Sequence, residues 1–348
     1  MDEALKETFA NIINGKNIIN IFLHDFPDPD CIGASMALKK LINTVWPAKD
    51  VRTYGHGVTH PQNKAMVRVL NINILDQMEE LPELDASLAC NIFVDFSPSS
   101  SNFKYDDIKA DIYIDHHIDS KNQSNGTPCD VRQVGATCTI LYDYLISFGI
   151  ELNEETAEDI NTAIAMVLGI KTDTNDLLSE TTTEEDFSVY MNLRQFCDKD
   201  KLNDILRYKL PPYYFDIIKL SCEESKIKDP VLVINLGFIS NDQRDIVAQI
   251  ADFWFSRRGT ETVIVFGVLS NSGDIVVSAR VGNVSIKAND LIRGIFKQGG
   301  GHIDKAGARV RPDWIDPKVL TNEEDKQKLL SVMTSVVMNK ACQLTETK

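Results

Sequence analysis

The sequence has no cysteines spaced C-x-x-C, no apolar run near the ~20 residues that a bilayer span needs, and no excess of basic charge. Each absence removes a class of protein. The seven cysteines, at 31, 90, 129, 138, 197, 222 and 342, are an odd number and cannot all pair within one chain, so reduced thiols in a cytoplasmic protein are expected. The opening residues, Met1-Asp2-Glu3-Ala4-Leu5-Lys6-Glu7, hold neither a basic segment nor an apolar one of the kind that directs secretion. Lys and Arg number 36 against 51 Asp and Glu, a net charge of −15, which excludes a protein that coats duplex DNA by neutralising phosphates. Any polyanionic ligand must meet a local positive site or a metal. No internal repeat is visible, and charged residues at 25% with hydrophobic residues at 43% argue against wholesale disorder.

A chain of 348 residues has room for two domains, each with its own core. Residues 18–23 are a buried strand, and 31–42 carry small and apolar residues at helical spacing. Strands return at 91–95 and 111–115, each ending in an acid, and helices are expected at 136–147 and 154–168, the latter with Asn153 as its cap. This alternation predicts an α/β domain over 1–200 with a mostly parallel sheet flanked by helices. Residues 201–226, with Pro211-Pro212, are expected to connect the domains. A smaller α+β domain over 227–348 is built on apolar strands at 231–236, 262–269 and 275–281, the last two joined by a five-residue turn, 270–274.

The chemistry gathers at strand ends. His24 follows the first strand, and Pro27 and Pro29 are expected to hold the next segment extended, so that Asp28 and Asp30 point the same way. Asp95 closes the second strand, Asp115-His116-His117 the third, and Asp173 follows an apolar helix. Ligands of open α/β sheets collect outside the carboxyl ends of strands. Several unpaired carboxylates brought together there would cost several kcal/mol each, and a divalent cation is the economical compensation. Imidazole and carboxylate donors without thiolate suit manganese or magnesium, or adventitious iron, cobalt or zinc. Two divalent ions would balance the four charges of Asp28, Asp30, Asp95 and Asp173.

In this order, His24-x3-Asp28-x-Asp30, Asp95, Asp115-His116-His117 and Asp173 resemble the DHH phosphoesterase superfamily. Gly299-Gly300-Gly301-His302 with Ala306-Gly307, after Ser278-Ala279-Arg280, resembles its DHHA1 domain. The resemblance implies two Mn2+ ions, with Mg2+ or Co2+ as substitutes. One would be held by His24, Asp28 and Asp95, the other by Asp30, Asp95, His116 and Asp173. It also implies that His117 faces the substrate phosphate or leaving oxygen, that Asp115 orients the histidines, and that a hydroxide bridging the metals attacks phosphorus. Arg280 would fork onto a phosphate, Gly299, Gly300 and Gly301 would admit phosphate or base, and His302 would sit against the scissile or terminal phosphate. Pro29, Gln298 and Lys305 depart from the usual pattern without removing a proposed ligand.

The activity so implied is a phosphodiesterase releasing mononucleotides from short RNA or linear dinucleotides such as pApA or pGpG. Cyclic dinucleotide hydrolysis and 3'-dephosphorylation of phosphoadenosine phosphate are related alternatives, and a non-catalytic nucleotide sensor is an alternative of another class. An inorganic pyrophosphatase is disfavoured by the glycine-rich motif, and a processive exonuclease by length and charge. No membrane or duplex DNA partner is expected, and a homodimer stays open. Cys31 is expected to be a small core residue, His56 and His60 loop residues, Trp46, Trp254 and Trp314 packing groups, and Arg257-Arg258 a solvated pair.

Overall fold

The computed structural model describes residues 1–76, 85, 87–98, 103, 108–117, 126–282, 286–301, 303–312 and 322–346. The chain forms two compact units, Met1–Tyr208 and Lys209–Lys348. The first begins with α1 (Glu3–Asn14), β1 (Ile18–Asp25), α2 (Pro29–Val45), β2 (Asp50–His56), α3 (Pro61–Val69) and β3 (Leu75–Asp76). It continues with β4 (Ala89–Val94), β5 (Ile112–Asp115), β6 (Cys129–Val131), α4 (Thr137–Ser147), α5 (Ala157–Asp173), α6 (Glu184–Arg194) and α7 (Lys199–Leu206).

Its six strands run parallel in the order β3-β2-β1-β4-β5-β6. The order reverses direction between β1 and β4, and a crevice opens at such a switch point outside the carboxyl ends. Both faces of the sheet are covered, which is why its strands are nearly continuous apolar runs. Ile19, Ile21 and Leu23 of β1, Cys90, Ile92 and Val94 of β4, and Ile112 and Ile114 of β5 enter one aliphatic core with α2, α4 and α5. The alternate residues Phe22, Phe93 and Tyr113 face the other way, into an aromatic cluster with Tyr54, Phe96 and Phe103.

Helices α2 and α5 touch closely because glycines stand at the crossing. A Cβ on Gly33 would lie 2.6 Å from the carbonyl oxygen of Ala165, and one on Gly169 would lie 2.8 Å from Cα of Asp30. That approach carries the end of α5 to the start of α2. The helix expected at 154–168 instead runs Ala157–Asp173 with Thr156 as its cap, while the Asn153 side chain accepts the N–H of Glu155. Asp173 is therefore the last residue of that helix rather than part of a following loop. A capping box, in which Thr183 and Asp186 bond reciprocally, opens α6.

The second unit contains α8 (Pro212–Glu224), β7 (Ser225–Lys228), β8 (Val231–Ile239), α9 (Ile246–Phe255), β9 (Thr262–Leu269) and β10 (Ile275–Val281). It ends with α10 (Ala288–Phe296), β11 (Gly300–Gly301), β12 (Lys305–Val310) and α11 (Glu323–Glu346). Its mixed sheet has the order β11-β12-β10-β9-β8-β7, with β8 and β9 parallel and the other pairs antiparallel. Helices α10 and α11 pack on one face and α8 and α9 on the other. Residues 201–226, expected as a connection, are helical over 201–206 and 212–224. Arg257 is not simply solvated, since its guanidinium donates to Asp229 at 2.9 Å. Trp46 packs against Phe9 and Phe148, Trp254 donates to Ser221 Oγ at 2.9 Å, and Trp314 lies outside the described residues.

Candidate metal centre

Strands β1 and β4 pair in register up to Leu23 and Val94, so His24 and Asp95 are the next residues out at the switch point. Asp95 adopts a left-handed backbone, φ 68°, while its N–H still donates to the carbonyl of Ile114 at 2.8 Å. A non-glycine residue held there carries strain, and such strain concentrates at functional sites. The turn is tied down from the far side as well, because Thr137 Oγ1 donates to Asp95 Oδ1 at 2.8 Å.

Two imidazoles address this one carboxylate. His24 Nε2 stands 3.7 Å from Asp95 Oδ2, and His116 Nε2 stands 3.6 Å from Asp95 Oδ1. The other nitrogen of each ring faces a carbonyl oxygen: Nδ1 of His24 donates to Asp25 at 3.0 Å and Nδ1 of His116 to Val134 at 3.2 Å. A carbonyl can only accept, so Nδ1 carries the proton and, in the neutral ring, the Nε2 lone pair points at the acids. His116 Nε2 is buried and faces carboxylate oxygens of Asp95 and Asp173.

Asp28 and Asp30 do not share an extended segment. Pro29 opens α2 as its first residue, a place its fixed φ suits, and Asp28 becomes the helix cap. Asp28 Oδ1 accepts the N–H groups of Asp30 and Cys31 at 3.0 and 2.9 Å, and its Oδ2 lies 4.0 Å from His24 Nε2. Asp30 is fully buried and accepts from the backbone of Thr137 and Cys138, at 2.6 and 3.0 Å, at the start of α4. Asp173 Oδ2 lies 3.1 Å from His116 Nε2. The donor atoms of Asp30, His116 and Asp173 fall within 4.8 Å of one another, as do those of Asp95, His116 and His117 and those of His24, Cys31 and Asp95.

The electrostatics are those of acids crowded without a counterion. Burial, then the charges of Asp173 and Asp95, push Asp28 up to about 6, and burial with Asp95 and Asp173 holds Asp30 well above the usual carboxyl range. Burial alone would lower His116, but Asp173, Asp95 and Asp30 outweigh it and raise it well above 6.5. Buried carboxylates and imidazoles that face one another fit a divalent cation in donor type and in charge.

His117 is different in kind. Its side chain is 46% exposed, and its Nδ1 is 2.7 Å from Asp115 Oδ1, which also accepts the His117 backbone N–H at 3.1 Å. Burial raises and His117 lowers the Asp115 carboxyl, leaving it below its ordinary value, while Asp115 outweighs burial and raises His117.

In the second unit, Arg280 donates to both carboxylate oxygens of Asp252, at 2.5 and 3.0 Å, and to Ser278 Oγ at 2.9 Å. Gly299 and Gly301 have φ of 110° and 147°, and Cβ atoms there would come within 2.6 and 2.5 Å of β12. Those two glycines serve the strand pairing itself, whereas the space around Gly300 is open. His302 lies outside the described residues. His56 is not a loop residue but ends β2, 3.4 Å from Asp76, and His60 caps α3 by accepting the Gln62 N–H at 3.2 Å. Sequence reading missed Thr137, Cys138 and the buried Asp186, which accepts from Gly135 and Thr139 behind the start of α4. Its only sequence signal was the capping pattern of α6.

Residues 18–170 match the DHH family, N-terminal domain. Over that span the chain resembles a DHH N-terminal domain. The matched span holds His24, Asp28, Asp30, Asp95 and Asp115-His116-His117 and stops short of Asp173. An uncharacterized protein of Methanocaldococcus jannaschii is 30% identical to this chain over 292 residues, 83% of this chain and 57% of that protein. A probable bifunctional oligoribonuclease and PAP phosphatase of Streptococcus mutans is 26% identical over 195 residues, 56% of this chain and 57% of that one. The chain thus matches little more than half the length of these curated relatives. Among solved structures, an exopolyphosphatase-related protein from Bacteroides fragilis shares the fold at TM-score 0.63 and 16% identity, covering 95% of this chain and 98% of that one.

Proposed function

We propose that this chain is a phosphodiesterase that uses two divalent cations, Mn2+ in the first place, to release mononucleotides from short RNA or linear dinucleotides such as pApA and pGpG. The observation that carries the reading is the single carboxylate of Asp95 with a different imidazole facing each of its oxygens, at 3.7 and 3.6 Å. His24, Asp28 and Asp95 would hold one cation, and Asp30, Asp95, His116 and Asp173 the other. Such a pair supplies an activated water and positive charge for a phosphoryl group.

The chain's own residues do the rest. Asp115 accepts the Nδ1 proton of His117 and favours the charged ring, which would let Nε2 give its proton to the leaving oxygen. Asp30 and Asp95 are held in place by the backbone and hydroxyl groups of α4, which prepays the cost of orienting them. In the second unit, read as DHHA1-like, phosphate would compete with the 62% exposed Asp252 for the fork of Arg280, with Gly299, Gly300, Gly301 and His302 beside the nucleotide. The likeness to the probable bifunctional oligoribonuclease and PAP phosphatase of Streptococcus mutans supports the oligoribonuclease reading, and it favours dephosphorylation of phosphoadenosine phosphate as the second. The seven cysteines stand as free thiols, which suits work in the cytoplasm. No helix among the described residues is long and apolar enough to cross a membrane.

The test is a parallel assay with Mn2+ of pApA, pGpG, a five-nucleotide RNA, cyclic di-AMP, phosphoadenosine phosphate and pyrophosphate. The linear dinucleotides and the short RNA are expected to turn over fastest, with EDTA abolishing every rate. Binding of dinucleotide without products supports a sensor instead, and a preference for pyrophosphate would sink the diesterase.

A further inference from the structure

The two sides of the centre are not chemically alike. On the His116 side the gathered donors are Asp30, His116 and Asp173, all oxygen or nitrogen. On the His24 side the third donor within 4.8 Å of His24 and Asp95 is the sulfur of Cys31. Cys31 is fully buried in the first turn of α2, between the cap residue Asp28, which accepts its N–H at 2.9 Å, and the aliphatic core. Its thiol donates to the carbonyl of Val94 at 3.3 Å, at the end of the strand that delivers Asp95. The buried Nε2 of His116 faces only acids, the opposite oxygen of the same Asp95 at 3.6 Å and Asp173 at 3.1 Å, so donors converge here from both sides of one carboxylate.

We propose that Cys31 is a sulfur ligand of the cation on the His24 side, so that the centre pairs one position for soft or borderline ions with one for hard ions. This rests on the two-cation reading above. When the cation binds, the S–H bond breaks, a sulfur–cation bond forms and one proton leaves to solvent, with no change of oxidation state. Thiolate favours zinc, cobalt or cadmium over magnesium, while the carboxylate-rich side keeps its affinity for manganese or magnesium.

The experiment uses the full chain, stripped with chelator and reloaded with one equivalent of Cd2+, Co2+ or Zn2+. A thiolate charge-transfer band in the ultraviolet with Cd2+ or Co2+, and a sulfur neighbour at ~2.3 Å in X-ray absorption of the Zn2+ form, are expected. Cys31→Ser should remove the band and weaken Cd2+ binding at least about tenfold with little change for Mn2+, whereas Cys138→Ser should keep the band. A wild-type protein that binds the ion with no sulfur neighbour, or a band that survives in Cys31→Ser, overturns the proposal and leaves the two-cation centre standing. Failure to bind any divalent ion overturns the centre and this proposal together. If Cys31→Ser does not fold, the X-ray absorption of the wild-type chain decides alone.

Discussion

A single carboxylate at the end of β4 joins the two halves of the site, and its position is maintained against its own backbone preference. Asp95→Asn keeps the volume and the bond from Thr137 while removing the charge that both histidines face. Its Mn2+ affinity is expected to fall by about 10–100-fold or more in a calorimetric titration, with the fold retained by circular dichroism. Asp274 gives a residue-scale prediction far from this chemistry. It is 1% exposed and bonded by Arg309 at 2.7 Å and by Arg311 at 3.2 Å. Burial raises its carboxyl, but Arg311 and Arg309 outweigh that and leave it below its ordinary value. A depressed folded value means the contribution is present above the unfolded value of about 3.9 and is lost as pH falls through the folded one. Asp274→Asn is therefore expected to cost about 1–3 kcal/mol at neutral pH and progressively less below pH ~4, read from urea midpoints. Most of it should come from Arg309, because Arg311 is 82% exposed and screened.

Among the elements, the crossing of α2 and α5 brings Asp30 and Asp173, two proposed ligands, together. Gly169→Ala gains helix propensity of about 1 kcal/mol but puts a methyl 2.7 Å from Cys138 Sγ and 2.8 Å from Cα of Asp30. Overpacking of this kind costs about 1–3 kcal/mol, so a modest net loss of stability is expected. The larger effect should fall on Mn2+ affinity, since the displaced atoms include those of Asp30, a proposed ligand; unchanged affinity would mean the crossing does not govern the centre. Helix α4 is the other decisive element, because its first two N–H groups, a favourable place for a carboxylate, hold Asp30.

For the whole molecule, cation binding should stabilise only what it touches. At one hundred times its dissociation constant, a cation bound solely by the folded state adds about 2.7 kcal/mol. Hydrogen exchange with and without Mn2+ is expected to show slower exchange along α2, α4 and the end of α5, where the ligands and their supporting N–H groups lie. Exchange unchanged there, under conditions where Mn2+ is bound, would place the ion elsewhere.

Residue order alone carried the alternation of strands and helices, the positions of His24, Asp28, Asp30, Asp95, Asp115-His116-His117 and Asp173 along the chain, and the acids that end the strands at 91–95 and 111–115, because periodicity and strand ends are local properties. Where a helix stops was already less legible: α5 runs on to Asp173 because packing against α2 extends it beyond the apolar run. Nothing local links Thr137 to Asp30, 107 residues away, or shows that Asp95 turns left-handed to meet two imidazoles. Nor does spacing distinguish a Cys31 that merely fills the core from one whose sulfur joins His24 and Asp95. Such contacts exist only once the sheet has brought its strand ends side by side, and convergence in space is the property that a linear order of side chains does not contain.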